Sequence, residues 1–207
     1  MQAPVMPAAS HPVHRPDLVD GWLLSGGQGR RMGGRDKGLV PLPDGRPMAW
    51  HAATRIAPQV RSLTLNVNRH SAEYAALGWP CRPDDADLPA GFGPLVGMLT
   101  GLRHTQAEWV QFAPCDYPWL PRDMVGTLVQ HALKHNTRVA VPVSTRDGET
   151  WHHWTCALVH RSTLASLSEC VNAGQPRVRL WLTAHPWIGV CFDDAHAFQN
   201  INTLGDL

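Results

Sequence analysis

The sequence has no CxxC pair, and its five cysteines, Cys81, Cys115, Cys156, Cys170 and Cys191, are odd in number and far apart. A zinc ribbon or a disulfide framework needs close, even sets of thiols, so neither is expected. Reduced thiols in a cytoplasmic chain are the default. No apolar run approaches the roughly 20 residues that span a bilayer. Neither sign of charge is in excess. The formal net charge is +1 over 207 residues, so no global field draws the chain to nucleic acid or to a membrane surface. Met1 to Pro16 lacks the basic start and apolar centre of a signal peptide. Rich in Pro, Ala and His, it reads as an unordered leader covering residues 1–17. The sequence also has no Ser-His-Asp or paired-carboxylate signature. His131 and His135 stand at i,i+4 on an expected helix, but no Glu or third ligand accompanies them, and a polar helix face is the simpler reading.

What the chain does have is length enough for one domain with a single good core, and one unusual stretch. Trp22 to Leu24 is a short apolar run that reads as a buried strand. Six glycines and four cationic side chains then fall between Gly26 and Gly38. So many glycines disfavour a helix or packed strand, but they let backbone N–H groups approach an anion closely. The stretch therefore reads as a phosphate-holding loop. It is not of Walker type, because Lys37 is preceded by Asp36 and followed by Gly38. Nor is it the dinucleotide fingerprint, because Met32 stands where the third glycine should be.

The rest of the chain alternates strand and helix. The Pro-Asp-Gly turn at 43–45 precedes a helix over Met48–Ile56, opened by Pro47. Ser62–Val67 has strand composition, and Ser71 is a candidate cap for a short helix to Leu77. Leu95, Met98, Leu99 and Leu102 recur at helical spacing up to about His104. Trp109–Ala113 is an apolar strand, Pro121 opens a helix, and Val139–Val143 is a strand before an Asp147-Gly148 turn. Trp154–Val159 reads as a strand, Ser162–Val171 and Arg177–Thr183 as helices, Trp187–Phe192 as the last strand, and Asn202 as the cap of a closing helix. This order predicts an α/β domain over residues 18–207, three-layered, with a mostly parallel central sheet and helices on both faces. Ligands of such sheets bind beyond the carboxyl ends of the strands. Four polar clusters fall there: the glycine-rich loop, Asn66–Asn68, Asp84/Asp85 and Asp116.

Asp116 ends an apolar strand between Pro114 and Pro118. A carboxylate so placed, facing a phosphate loop, suits Mg2+. Lys37 can follow negative charge as it builds on a phosphate leaving group, and Arg31 offers a forked donor to phosphate oxygens. Cys115 reads as packing, since nothing near it in sequence would lower its pKa.

In detail, Leu-Ser-Gly-Gly-(Gln-Gly-Arg)-Arg-Met-Gly-Gly-x-Asp-Lys-Gly resembles the loop of the molybdenum cofactor guanylyltransferases. Pro114-Cys115-Asp116-x-Pro118 resembles that family's metal-binding signature. The resemblance implies a Rossmann-like nucleotidyltransferase fold, with a GTP site in the N-terminal half and an acceptor site in the C-terminal half. It implies GTP binding at Leu24, Ser25, Gly26 and Gly27, at Asn66 and at Asp84. Asp84 could hold either the ribose hydroxyls or the guanine N–H groups, with Asp85 and Asp87 as neighbours. Phe198-Gln199-Asn200-Ile201-Asn202-Thr203 is similar to the family's Asn-x-Asn-Thr segment, which makes Asn200 and Asn202 acceptor-side candidates. Arg177 and Arg179 align with an Arg-rich helix start and suit the acceptor's phosphate. His152-His153-Trp154-Thr155 stands where the family usually has His-Pro. The implied reaction is Mg2+-dependent transfer of GMP from GTP to Mo-molybdopterin, with molybdoenzyme-maturation proteins as further partners. A cytidylyltransferase of the same cofactor, a sugar-phosphate nucleotidyltransferase and a non-catalytic GTP- or pterin-binding carrier are the alternatives.

Overall fold

Val139–Arg146 illustrates how the apolar segments become strands. Val139 and Val141 enter one apolar cluster and Ala140 the other, as the period of two requires. The computed structural model describes residues 5–7, 15–25, 36–89 and 92–201. Among these, nine strands form one sheet. They are β1 (Val5–Pro7), β2 (Val19–Leu24), β3 (Ser62–Asn66), β4 (Cys81–Arg82), β5 (Trp109–Pro114), β6 (Val139–Arg146), β7 (Glu149–His152), β8 (Leu158–His160) and β9 (Trp187–Phe192). Their order is β1-β9-β6-β8-β5-β2-β3-β4, with β7 paired to β6 outside this path. The pairs β2–β3, β2–β5, β3–β4, β6–β9 and β1–β9 are parallel. Only β7 and β8 run against their partners among the described strands. The mostly parallel sheet of the sequence reading is thus present, and β8 is a reversed strand set between its two parallel halves.

Helices cover both faces. On one, α1 (Met48–Ile56) and α4 (Met124–Lys134) contribute Ala49, Ala52, Ala53, Ile56, Met124, Val125 and Leu128 to the larger core cluster. On the other, α3 (Pro94–His104), α5 (Leu164–Asn172) and α6 (Val178–Thr183) contribute Leu95, Met98, Leu99, Leu102, Leu167, Val171, Trp181 and Leu182. The short α2 (Ser71–Ala75) lies between β3 and β4. No helix among the described residues is long and apolar enough to cross a membrane.

Several elements differ from the sequence reading. Val5–Pro7, within the stretch expected to be an unordered leader, pairs as a parallel strand with Gly189–Cys191. Trp154–Val159 is not one strand. Trp154–Cys156 is a 3-10 turn, and only Leu158–His160 joins the sheet, antiparallel to both neighbours. The amide of Cys156 bonds the carbonyl of His153, closing that turn. The cap of α2 is His70, at φ 56°, rather than Ser71, and it makes no side-chain cap bond. α4 starts at Met124, one turn beyond Pro121. The closing helix expected from Asn202 lies outside the described residues. Before it, Asp194 caps a 3-10 turn over Ala195–Phe198 with bonds to the amides of His196 and Ala197. The Asp147-Gly148 turn is present as a two-residue hairpin, with positive φ at both positions (52° and 78°).

Candidate functional site

The parallel strands β2, β3 and β5 point their carboxyl ends the same way, and backbone bonds carry the alignment past the strands. The amide of Ser25 donates to the carbonyl of Asn66 (3.0 Å), and that of Cys115 donates to Leu24 (3.1 Å). Beyond them lies a cleft of about 1110 Å3, and Leu24, Ser25, Lys37, Asn66, Asp84 and Asp116 all line it. Six residues singled out from four separate stretches of sequence therefore share one cavity. Gly26, Gly27, Arg31 and Asn202 lie outside the described residues.

At one wall the Lys37 ammonium donates to Asp116 Oδ2 at 2.6 Å, each side chain keeping 18% of its surface exposed. Both groups are thus partly desolvated yet open to a ligand, and an entering phosphate can take the lysine from the carboxylate. The bond joins residues 79 apart in sequence. Asp116 is fixed from behind, because its carbonyl accepts the amide of Ile201 at 3.1 Å. Asn200, the residue before Ile201, is not among the residues lining the cleft.

At the other wall Asn66 Nδ2 donates to Asp84 Oδ1 (3.0 Å) and to the carbonyl of Arg82 (3.2 Å). Asn68, which also lines the cleft, donates to Asp84 Oδ2 (2.7 Å) and accepts the Asp84 amide (2.8 Å). The two side-chain amides hold the Asp84 carboxylate in place at this wall. Gly97 of α3 is needed here, since a Cβ would collide with Asn66 Oδ1 and stand 2.8 Å from Leu24 Cδ2. Asp85 and Asp87 turn away from this work. Arg103 bonds both of them (3.2 and 2.9 Å), and His104 Nε2 lies 2.8 Å from Asp85 Oδ1.

Other candidates have other places. Arg177 and Arg179 are not among the residues lining the cleft. Arg177 precedes α6, and the Arg179 guanidinium lies 5.8 Å from the Trp154 ring centre. Thr155 of the neighbouring 3-10 turn, last of the His152–Thr155 stretch that stands where the family usually has His-Pro, does line the cleft. His153 is partly buried and stacks on Phe198, with centroids 4.4 Å apart, and its Nε2 lies 2.9 Å from Ser144 Oγ. Burial, with the neighbouring His152, pushes its pKa down to about 4, so the ring is neutral near pH 7. Cys115 is buried, and burial and the charge of Asp116 push its thiol well up, so it packs and does not react. His131 is 7% exposed, not part of an open polar face as expected. Its ring lies parallel to that of His135 at 6.1 Å. Among the described residues no three His, Cys, Asp or Glu side chains gather as a metal cage.

Far from the cleft is a network the sequence did not reveal. Asp20 of β2, 7% exposed, accepts bonds from Arg61, Ser62 Oγ, Thr105 Oγ1 and the amides of Gln106 and Ala107. Burial alone would raise its pKa. The donors together outweigh that and hold it down at about 2.

Residues 21–187 match the model of the MobA-like NTP transferase domain. A molybdenum cofactor guanylyltransferase of Cupriavidus pinatubonensis (strain JMP 134 / LMG 1197) is 43% identical over 192 residues, 92% of this chain and 95% of that protein. One of Bordetella petrii is 38% identical over 189 residues, 91% and 95% of the two chains. In three dimensions the chain is similar to molybdopterin-guanine dinucleotide biosynthesis protein A from Archaeoglobus fulgidus, with a TM-score of 0.71 at 20% identity over 90% and 94% of the two chains. It is also similar to a CMP:2-keto-3-deoxy-manno-octonic acid synthetase complexed with CTP, with a TM-score of 0.67 at 15% identity over 91% and 94%. At these identities the two structures speak for the nucleotidyltransferase fold alone. On the match over most of its length and on the identity to these relatives, the chain belongs to the MobA-like NTP transferase family.

Proposed function

We propose that the chain transfers GMP from GTP to the terminal phosphate of molybdopterin carrying molybdenum, with release of pyrophosphate. The observation that carries this reading is the Lys37–Asp116 contact in the same cleft as Asn66 and Asp84. Relatives 37–43% identical bear the name molybdenum cofactor guanylyltransferase, which supports guanine over cytosine.

A phosphomonoester is largely ionised near neutral pH, with its second pKa at about 6. It needs no strong base, in keeping with a neutral His153 outside the cleft lining and a Cys115 that stays a thiol. What remains is positioning and charge neutralisation. Leu24, Ser25, Gly26 and Gly27 bring backbone groups to the triphosphate, and Arg31 and Lys37 bring positive charge to it. As the bond to pyrophosphate breaks, Lys37 stays with the leaving oxygens. Asn66 and Asp84 hold the nucleoside, either at the guanine N–H groups or at the ribose hydroxyls. A single carboxylate at a strand end fits Mg2+, which is commonly held by one or two carboxylates together with substrate phosphates. Asp116 would hold it, and when bound it would neutralise charge on the phosphates. The acceptor enters on the side of the C-terminal half, where Asn200, Asn202, Arg177 and Arg179 are the candidates to receive it. The product passes on to molybdoenzyme-maturation proteins, in a cytoplasmic setting that the five free cysteines suit.

Pyrophosphate release measured with GTP, CTP and UTP, with and without molybdopterin, tests the reading. Release with GTP alone, and only with the acceptor, is expected. Equal release with CTP would favour a cytidylyltransferase, and tight GTP binding without release would favour a carrier.

A further inference from the structure

We propose that Tyr74 is a positioning residue for nucleotidyl transfer, setting through Asp36 where the Lys37 ammonium stands relative to Asp116. The proposal rests on the guanylyltransferase reading and extends it to a residue outside the cleft. Tyr74 lies on α2, far from Lys37 in sequence, and is completely buried. Its Oη donates to Asp36 Oδ1 at 2.6 Å. The same oxygen accepts the amide of Gly38 at 3.2 Å and thereby caps the 3-10 turn Lys37–Leu39. A buried carboxylate oxygen holding two donors has little freedom, and O–H···O⁻ bonds of this length are among the stronger ones. Burial and the adjoining Cys115 and Asp36 push the phenol far above its ordinary range, so it stays a donor.

Gly38 shows how tightly the parts are set. A Cβ there would collide with Tyr74 Oη and stand 3.0 Å from Cys115 Sγ. The turn carrying Lys37 is therefore wedged between Tyr74 and the residue that precedes Asp116. The phenol acts as a post between the end of the glycine-rich loop and the end of β5. Misplacing the ammonium by a fraction of an ångström weakens it most where charge is building, which is the transition state.

Tyr74→Phe removes only the Oη. Single-turnover GMP transfer is expected to slow by about tenfold or more, while GTP affinity by calorimetry stays within about twofold of wild type. A role in stability alone would lower the thermal midpoint and leave the rate of the folded fraction unchanged. A rate constant within about twofold of wild type therefore overturns the proposal. So does an equal loss of rate and GTP affinity, which would make the bond one of ground-state binding. If Tyr74→Phe does not fold, Asp36→Asn takes its place. The amide keeps the size and the acceptor oxygen but loses the charge, and the same split between rate and affinity is expected. An unchanged rate constant in that variant overturns the proposal too. Wild-type protein that releases no pyrophosphate from GTP overturns the functional reading and the proposal with it. An active wild type beside an unaffected variant overturns the proposal alone.

Discussion

Asp116 and Lys37 neutralise one another at the cleft wall at 2.6 Å, so removing either leaves the other partly desolvated and without that counter-charge. Asp116→Ala is expected to abolish Mg2+-dependent transfer while the protein stays folded. Near-normal transfer at matched Mg2+, with folding checked by circular dichroism, would refute the metal assignment. Lys37→Ala should slow the single-turnover rate by about a hundredfold or more, with a smaller loss of GTP affinity. An unchanged single-turnover rate would remove Lys37 from the chemistry. Asp20 makes a prediction of stability instead. Its folded pKa of about 2 lies below the ordinary carboxylate value of 3.8. The stabilisation is therefore fully present above about pH 5 and is lost as pH falls through 4 towards 2. Asp20→Asn should cost about 2 kcal/mol in urea unfolding at pH 7 and much less at pH 2. An equal cost at both pH values would show that the ionised carboxylate is not the stabilising form.

Among the elements, the segment after β4 links helix packing to the wall of the cleft. Asp85 and Asp87 are tied to Arg103 in the last turn of α3, and the Asp85 amide bonds Thr100 Oγ1 at 3.1 Å. Asp84, one residue earlier, faces the cleft. Arg103→Ala is expected to raise KM for GTP about two- to fivefold with kcat nearly unchanged, since partly exposed ion pairs are each worth about 0.2–1 kcal/mol. Steady-state kinetics decide it, and a fall in kcat with constant KM would contradict it. From sequence alone Asp84 could not be told from its neighbours. The distinction lies in Asn68 and Arg103, which reach the segment only after folding. Elements that carry their own signals were legible. Pro47 after a Pro-Asp-Gly turn marked α1, and the unbroken apolar run of Trp187–Phe192 marked β9. The two to four residues of β4, β7 and β8 hold no such signal, because partners in the sheet impose their conformation more than their own propensity does.

At the scale of the whole molecule, the alternation of strand and helix disclosed the three layers, and the carboxyl ends of the strands disclosed where to look for the site. The network around Asp20 stayed hidden, because a lone Asp in an apolar strand gives no hint of donors on Arg61 and Thr105. The identity of the base is a further quantity that the fold does not settle, since an enzyme complexed with CTP shares it.

The reversed strand β8 bears on how the protein is made. It sits between β5 and β6 and bonds both, yet it comes after both in the chain. During synthesis the N-terminal half can pair β2, β3 and β5, but the outer edge of β5 stays open until His160 has emerged from the ribosome. Val110 and Phe112 are fully buried in the finished protein, and on a nascent chain that edge is a template for pairing with other chains. A fragment ending at residue 137 is therefore expected to aggregate on expression, where the full chain does not. Light scattering of the two would show it, and a monodisperse short fragment would mean that β5 is protected by some other route.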